Sequence, residues 1–163
     1  MRIERVVVDA SPLIILFKSG LAGLLPQLFT EIVVPATVRQ EVMANGKNDP
    51  AVTGLANAAW AIAVEDVPIP SVIAAWDLDA GESSALAQAL QMNDARVLLD
   101  DRAGRNCARV LQIRTLGTVG VILLAKRRGL IGSAGEALTK IAGAGCWMSA
   151  GLLQTALIEA GEA

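Results

Sequence analysis

Short apolar runs alternate along this chain with longer segments in which apolar residues recur every three or four positions. The short runs predict β-strands at 3–8, 31–34, 62–67, 95–99 and 112–116. The longer segments predict helices at 12–20, 35–44, 51–61, 79–92, 102–111, 118–128, 133–142 and 149–160, with a short one ending at Phe29. Strands that alternate with helices predict an α/β protein with a mostly parallel sheet, covered by helices on both faces.

Local signals indicate where several of these helices begin and end. Ser11 followed by Pro12 is typical of an N-cap and a first helical residue. Asp79 and Glu82 have the spacing of a capping box, in which Asp79 is the N-cap. Gly129 follows three cations and suits the position just after a helix. On this basis Asp79 is interpreted as a structural residue.

Carboxylates stand where two of the predicted strands end. Asp9 follows the first strand, and Asp100 and Asp101 follow the fourth. Ligand sites in open α/β sheets lie at the carboxyl ends of the strands. Two adjacent like charges are unfavourable unless a cation joins them, although one of the pair can also cap the next helix. Position alone leaves Asp9 open between a turn residue or auxiliary helix cap and a ligand.

Two glutamates on predicted helices complete the set of candidate acids. Val38 and Val42 share a helix face with Glu41, which predicts that Glu41 turns inward. A solvent-exposed glutamate is the other interpretation. Glu82 is interpreted either as the N3 residue of the capping box or as a functional acid near the strand ends.

Composition excludes several classes of chemistry. The 163 residues include no histidine and no tyrosine, so a histidine-based triad, an imidazole zinc site and tyrosine acid–base chemistry are excluded. The two cysteines, Cys107 and Cys146, lack metal-type spacing and are expected to be small buried residues. The apolar runs are shorter than the roughly 20 residues of a membrane helix. We therefore expect a cytoplasmic protein without a membrane span.

The candidate acids point to a hard cation. Mg²⁺ prefers oxygen ligands, and a cluster of carboxylates without histidine or cysteine suits Mg²⁺ or Mn²⁺ better than zinc. Such ions can orient a water and stabilise an in-line displacement at phosphorus. The residues themselves therefore predict an oxygen-ligated metal site.

Arginines follow the acids in the sequence. Arg102, Arg105 and Arg109 recur at helical spacing directly after Asp101. One interpretation is a solvated helix face. The other is a rim that contacts the phosphates of RNA or DNA, which a chain of net charge −2 would need in order to hold a nucleic acid.

Motifs along nearly the whole chain resemble the PIN-domain superfamily, and more narrowly its DUF3368 group, which is similar to the toxin nucleases of VapBC-type modules. The motifs are VVVDASPLI at 6–14, VPATVRQEV at 34–42, LDAGESSAL at 78–86, LLDDRAGR at 98–105, LGTVGVILLAKRRGLI at 116–131 and the tail GCWMSAGLLQTALIEAGE at 145–162. The resemblance implies a PIN-like three-layer α/β/α fold with C-terminal helices. It also implies one nuclease domain over 1–163, of which about 133–163 is a helical extension.

The resemblance assigns an acidic site to individual residues. It implies that the metal ligands and catalytic residues are Asp9, Glu41, Glu82 and one of Asp100 and Asp101. Glu82 departs from the aspartate that many PIN domains have as the third acid. The serine or threonine that often lies near the metal matches Ser11 or Thr118, and we count both, with the three arginines, as candidate RNA contacts.

The leading hypothesis is therefore a Mg²⁺- or Mn²⁺-dependent endoribonuclease, and the resemblance extends it to the toxin of a toxin–antitoxin pair. One alternative is a phosphohydrolase of small metabolites. It is disfavoured because Ser11 stands where an aspartyl-phosphate enzyme usually has a second acid. The other alternative is a catalytically silent interaction module with the same fold.

The C-terminal helix has an apolar face whose partner the sequence leaves open. Leu152, Leu153, Ala156 and Leu157 recur at helical spacing. This face either packs on its own domain or, with the apolar helix at 118–125, contacts a second subunit or an antitoxin. A homodimer is the state that the resemblance implies.

Overall fold

The computed structural model describes residues 4–163, and within them five strands and ten helices alternate in the predicted manner. The strands are β1 (Arg5–Val8), β2 (Glu31–Pro35), β3 (Ala61–Val64), β4 (Ala95–Leu98) and β5 (Arg114–Leu116). The helices are α1 (Ala10–Lys18), α2 (Leu24–Leu28), α3 (Ala36–Met43), α4 (Pro50–Asn57), α5 (Ser71–Ala74), α6 (Ala80–Gln91), α7 (Arg102–Val110), α8 (Thr118–Arg127), α9 (Ala134–Gly143) and α10 (Ala150–Glu159). The start of the first predicted strand, at residue 3, lies outside the described residues.

The described strands form one sheet in the order β3-β2-β1-β4-β5, and every pairing is parallel. Val7 of the central strand β1 pairs with Val33 of β2 on one side and with Val97 of β4 on the other. The chain builds the sheet outward from β1 to β3, then returns to the other side of β1 for β4 and β5. The order therefore reverses between β1 and β4, and open α/β sheets bind ligands in the crevice at such a point.

Helices cover both faces of the sheet, which confirms the three-layer α/β/α architecture. Val6 and Val8 point into a core shared with α1, α2, α8 and α9. Val7 points to the opposite face, where α5, α6 and α7 pack. Because both faces are buried, the strands read as continuous apolar runs rather than as alternating patterns.

The start of α1 differs from the prediction. The helix begins at Ala10 with Asp9 as its N-cap residue, so the prediction that Ser11 caps it is wrong. Pro12 is instead the third helical residue. Proline is tolerated there because the first turn has no intrahelical acceptor for its N–H groups.

Other boundaries shift by a few residues. α4 ends at Asn57, although a helix to 61 was predicted, and the short helix α5 was not predicted. β3 lies at the edge of the sheet as predicted but is shorter. The predicted caps at Asp79 and Gly129 are confirmed, since Asp79 accepts a hydrogen bond from the first turn of α6 and Gly129 has a positive φ of 73° after α8. None of the described helices has the length and apolarity that a bilayer span requires.

Candidate metal centre

Three carboxylates converge at the carboxyl edge of the sheet. Asp9 follows β1, Glu41 lies on α3, and Asp79 is the N-cap residue of α6. One oxygen from each lies within 4.8 Å of one oxygen from each of the others, which is close enough to hold a single metal ion. The fold thereby brings together three carboxylates that are far apart in the sequence.

Asp9 is fixed at the point where the sheet order reverses. Its backbone N–H donates a 3.0 Å hydrogen bond to the carbonyl of Leu98, the last residue of β4. The side chain of Asp9 is only 4% exposed and forms no capping hydrogen bond with α1. Its carboxylate is therefore directed to the crevice between β1 and β4 rather than used for helix capping.

A cavity of about 600 Å³ at this edge is lined by six acidic residues and by no lysine or arginine among the residues described. The six are Asp9, Glu41, Asp79, Glu82, Asp100 and Asp101. The structure therefore brings together all five of the acids predicted from the sequence. It adds Asp79, for which the sequence predicts helix capping alone.

The electrostatics of the cavity favour a cation or bound protons. Burial raises the pKa of Asp9 from 3.8 to about 7, and the charges of Asp79, Glu82 and Glu41 act in the same direction. Burial likewise raises the pKa of Glu82 from 4.5 to about 7, with further contributions from Asp79 and Asp101. The pKa of Glu41 is raised by burial and by Asp79. A positive charge in the cavity would therefore favour the ionised forms of Asp9, Glu41 and Glu82.

Asp79 serves the fold and the cavity at once. Its Oδ1 atom accepts a 2.9 Å hydrogen bond from the backbone N–H of Glu82, which caps α6. A carboxylate has more than one acceptor position, so the same group can also face a metal ion. The capping spacing was visible in the sequence. Nothing in the sequence indicated that Glu41 approaches Asp79, and it is this approach that places Asp79 in the acidic cluster.

Asp100 and Asp101 differ in what they contact. Asp101 caps α7 by accepting a 3.1 Å hydrogen bond from the N–H of Gly104. Asp100 binds the start of α8, where its two oxygens accept from the N–H and the hydroxyl of Thr118 at 2.7 and 2.5 Å. One aspartate of the pair thus caps the next helix, as predicted, and the other joins β4 to α8.

Thr118 was predicted as a candidate RNA contact, but it is not at the surface. Its side chain is fully buried and donates to Asp100. A fully buried side chain cannot contact RNA directly. The hydroxyl of Thr118 instead serves the fold through its hydrogen bond to Asp100. Ser11, in contrast, is exposed and lines the acidic cavity.

A second cavity, of about 1030 Å³, adjoins the acidic one and carries the opposite charge. Ser11, Ile15, Asp100 and Gly145 line both cavities, so the two are continuous. The arginines that line the second cavity are Arg102, Arg105, Arg109 and Arg114. We refer to this second cavity as the arginine groove.

The arginines of the groove differ in the hydrogen bonds and ion pairs that their side chains form. Arg105 donates from Nη1 to the carbonyl of Leu99 at 3.4 Å, and Arg109 donates to Asn106 at 3.1 Å. Arg114 forms an ion pair with Asp94 at 2.5 Å. Arg102, Arg105 and Arg109 are all exposed, so their guanidinium groups are accessible to an anionic ligand beside the acidic cavity.

The donor set fits a hard divalent cation. All candidate ligands are carboxylates, supplied by the ends of β1 and β4 and by α3 and α6, and neither cysteine lines the acidic cavity. Cys107 and Cys146 are both free thiols; Cys107 is buried, as predicted, and Cys146 is partly exposed.

Comparison with known proteins gives the family. No match was found among curated proteins or among solved structures. Residues 5–162 match the family DUF3368, described as a PIN domain. PIN domains are in general metal-dependent nucleases, which agrees with the acidic cavity found at the carboxyl edge of the sheet. Because the match covers almost the entire chain, the protein belongs to the DUF3368 family of PIN domains.

Proposed function

We propose that this chain is a Mg²⁺- or Mn²⁺-dependent endoribonuclease that acts as one nuclease domain. The observation that carries the proposal is the acidic cavity, which six carboxylates line and to which no basic side chain of residues 4–163 contributes. Two of them, Asp9 and Glu82, are buried and have pKa values raised to about 7. A cluster of like charges that includes two buried carboxylates is unfavourable on its own, and a divalent cation would stabilise it.

Asp9, Glu41 and Asp79 are the residues that would hold the cation, since their oxygens already lie within 4.8 Å of one another. Glu82, Asp100 and Asp101 line the same cavity and would complete the site directly or through water. A bound Mg²⁺ or Mn²⁺ supplies an activated water and neutralises charge that develops on the phosphate oxygens.

The arginine groove supports a polyanionic substrate. Arg102, Arg105 and Arg109 line it next to the acidic cavity, where phosphates on either side of a scissile bond would lie. Their positive charges would position the RNA backbone and offset the repulsion between phosphates and the acidic cavity. Ser11 lies where the two cavities meet and can donate a hydrogen bond to a phosphate oxygen. A small-molecule phosphohydrolase has no need of such an extended basic groove.

We further propose that the protein is cytoplasmic, that it is a homodimer, and that it is the toxin of a toxin–antitoxin pair. The partly exposed apolar face of α10 supports a partner surface. Ala156 is buried against α8 and α9 and Leu157 is partly buried, whereas Leu152 and Leu153 are exposed. Val121, Ile122 and Ala125 of α8 are buried in the chain's own core, so α10 is the better candidate for an interface.

Deletion of residues 149–163 tests this partner surface. We expect a product that remains folded and soluble but is monomeric, as measured by light scattering beside the full chain. An insoluble product would assign α10 to the core instead. For the toxin proposal, expression of the chain should arrest growth, and co-expression of the protein encoded by the neighbouring upstream reading frame should relieve the arrest.

The decisive test of the nuclease is Asp9→Asn, with Asp77→Asn as a matched control. Asp77 is an exposed aspartate with φ of 52°, a conformation that asparagine tolerates, and it does not line the acidic cavity. We expect Asp9→Asn to abolish Mg²⁺-dependent cleavage of RNA, while Asp77→Asn cleaves like the wild type. Full activity of Asp9→Asn would overturn the assignment, and turnover of simple phosphomonoesters in preference to RNA would favour the phosphohydrolase.

A further inference from the structure

The helix α3 begins without a capping side chain of its own. Its N-cap residue is Pro35, which has no side-chain acceptor for the N–H groups of the first turn. The acceptor comes instead from Asp66, whose Oδ1 atom accepts a 3.1 Å hydrogen bond from the N–H of Thr37. The Oδ2 atom of Asp66 accepts a 2.5 Å hydrogen bond from the hydroxyl of the same threonine. Asp66 therefore caps α3 from a distant part of the chain.

The register of the sheet places Asp66 at this point. Pro35 of β2 pairs in parallel with Val64 of β3, so the segments that follow the two strands leave the sheet side by side. Thr37 and Asp66 each lie two residues beyond this pair. Val64 and Val67, on either side of Asp66, pack against the core that α6 covers. Asp66 is thus held at the carboxyl edge of the sheet, although it does not line the acidic cavity.

Asp66 also contacts α6. Its Oδ1 atom accepts a 2.7 Å hydrogen bond from the hydroxyl of Ser84, a buried residue of that helix. Burial alone would raise the pKa of Asp66, but the hydrogen bonds from Thr37 and Ser84 lower it below its ordinary value of 3.8. The carboxylate is therefore charged at neutral pH, and hydrogen bonds to a charged acceptor are stronger than those between neutral groups. One exposed side chain joins α3 to α6.

A second contact joins the same two helices one turn away. Glu41 lies four residues after Thr37 on α3, and Gly81 lies three residues before Ser84 on α6, so each pair shares a helix face. The N–H of Gly81 donates to the carboxylate of Glu41. With one of these contacts alone the helices could pivot about it. Two contacts a turn apart hold both the separation and the angle of the helices.

We propose that Asp66 is a positioning residue of the acidic cavity, which holds α3 and α6 in the relative position that brings Glu41 to Asp79. The inference rests on the proposed metal-dependent function and adds to it a residue outside the cavity, which acts through the candidate ligands rather than on the metal. A residue that served only to cap α3 would need the hydrogen bonds from Thr37 alone. The hydrogen bond from Ser84 has no part in capping α3, and it is the one that reaches the helix of Asp79.

The test compares Mn²⁺ affinity, by calorimetric titration of the full chain, among variants that lose a helix cap. Asp66→Ala is set beside Asp49→Ala as a matched control. Asp49 caps α4 by accepting a 2.8 Å hydrogen bond from the N–H of Ala51, and α4 contains no acidic residue. Both variants should unfold at a lower temperature than the wild type in a chelator, because each loses a cap. Affinity is measured where all variants are folded.

Only Asp66→Ala should lose metal affinity. We expect Mn²⁺ to bind it about 10-fold more weakly than the wild type, a loss of the size that follows when the support of metal ligands is removed. Asp49→Ala should bind as the wild type does. Asp66→Asn should also retain affinity, because its amide oxygen can accept the hydrogen bonds from Thr37 and Ser84 that Oδ1 accepts. Both changes at residue 66 remove the same charge, so a difference between them reports position rather than electrostatics.

Ser84→Ala removes the link to α6 and leaves the cap on α3. Its Mn²⁺ affinity should fall in the same direction as that of Asp66→Ala. The double variant should bind like Asp66→Ala alone, because the serine acts only through the aspartate. Wild-type affinity in Ser84→Ala would overturn the inference, and this result decides the matter even where Asp66→Ala fails to fold.

Hydrogen exchange in a chelator gives a readout that needs no metal. The N–H of Gly81 is protected by its hydrogen bond to Glu41, so its exchange rate reports the contact between α3 and α6. Exchange at Gly81 should be faster in Asp66→Ala than in Asp49→Ala. Equal exchange in these two variants, or equal Mn²⁺ affinity, would mean that Asp66 serves stability alone and would overturn the inference.

Failure of the proposed function is distinguishable from failure of this inference. A wild type that neither binds Mn²⁺ nor cleaves RNA would overturn the proposed function, and exchange at Gly81 would still decide whether Asp66 holds the two helices together. A wild type that binds Mn²⁺ and cleaves RNA, beside an Asp66→Ala variant of unchanged affinity, would overturn the inference alone.

Discussion

The backbone N–H of Gly81 donates a 2.9 Å hydrogen bond to the Oε1 atom of Glu41. The contact joins the first turn of α6 to α3 across 40 positions of the sequence. A Cβ atom at residue 81 would lie 2.3 Å from Oε2 of Glu41, so only glycine permits this approach. The same turn of α6 presents Asp79, and the glycine therefore determines how closely two of the candidate metal ligands come together.

Gly81→Ala should remove metal binding with little loss of stability. The added methyl group must displace the Glu41 carboxylate, which lies at the end of a flexible side chain and can move at small cost. Alanine also favours the helix by up to about 1 kcal/mol. We expect a midpoint of thermal unfolding near that of the wild type and a large loss of Mn²⁺ affinity in calorimetric titration.

Gly143→Ala is the matched control for this change. Gly143 lies in α9, and a Cβ atom there would have no neighbour within 4 Å. This variant should bind Mn²⁺ as the wild type does. If Gly81→Ala retained wild-type Mn²⁺ affinity, Glu41 would not be a ligand in the position that the structure gives it.

Stability in the absence of metal should fall as the pH rises towards neutrality. The pKa values of Asp9 and Glu82 are raised to about 7, so between about pH 4 and pH 7 the folded protein holds protons that the unfolded chain has released. The stabilising contribution of these two groups is complete below the unfolded-state values and is lost as the pH passes through about 7. Thermal unfolding in a chelator, followed from pH 5 to pH 8, measures this slope.

Mg²⁺ should reverse this trend, because the ion replaces the protons as the compensating charge. Its apparent affinity should increase up to about pH 7 and then level off. Asp9→Asn lacks one of the two titrating groups and should show a shallower slope in chelator. A stability profile that rises between pH 5 and pH 8 in chelator, in wild type as in Asp9→Asn, would contradict the raised pKa values.

The contact between Asp100 and Thr118 should contribute measurably to stability. Thr118→Val keeps the shape of the buried side chain and removes only the hydroxyl that donates to Asp100. A hydrogen bond to a charged group contributes about 1.5–3 kcal/mol. We expect the free energy of unfolding in urea to fall by that amount. Thr139→Val, on the exposed face of α9, removes a hydroxyl that donates only to the carbonyl of Gly135 and should change stability by less than about 0.5 kcal/mol.

The sequence predicted the part of the site that depends on strand ends. Asp9 and the pair Asp100 and Asp101 follow apolar runs, and parallel strands bring their carboxyl ends to one edge of a sheet. Glu41 was predicted from the inward face of its helix. These inferences need only local periodicity and the rule that strands separated by helices pair in parallel.

The sequence did not predict the contacts that tertiary packing creates. The spacing around Asp79 indicates a cap, and the cap is present, but nothing local indicates that α3 brings Glu41 to the same carboxylate. The exposure of Trp147 and the burial of Thr118 likewise depend on how α8, α9 and α10 pack. The N-cap at Ser11 was predicted wrongly because α1 begins at Ala10, before the Ser-Pro pair, and no side-chain capping hydrogen bond marks its start.

The carboxylate of Glu162 fastens the end of the chain to α9. It accepts hydrogen bonds from the N–H groups of Ala134 and Gly135 at 2.7 and 3.0 Å, and Lys126 approaches it to 3.3 Å. These backbone hydrogen bonds, that of Gly135 first, lower the pKa of Glu162 to about 2. Its contribution to stability is therefore present above the ordinary pKa of a glutamate and is lost as the pH falls through about 2.

Glu162→Gln should loosen α10 without unfolding the sheet. The amide retains an acceptor oxygen but loses the charge that the N-terminus of α9 and Lys126 stabilise. Because Ala156 is the only residue of α10 that is fully buried, the helix has little other packing to hold it. We expect faster cleavage in the loop at 144–149 during limited proteolysis at neutral pH. Glu159→Gln, an exposed change on the same helix, is the control and should be cleaved at the wild-type rate. Equal cleavage of both variants and the wild type would mean that the packing of α10, rather than Glu162, holds the C-terminal helix in place.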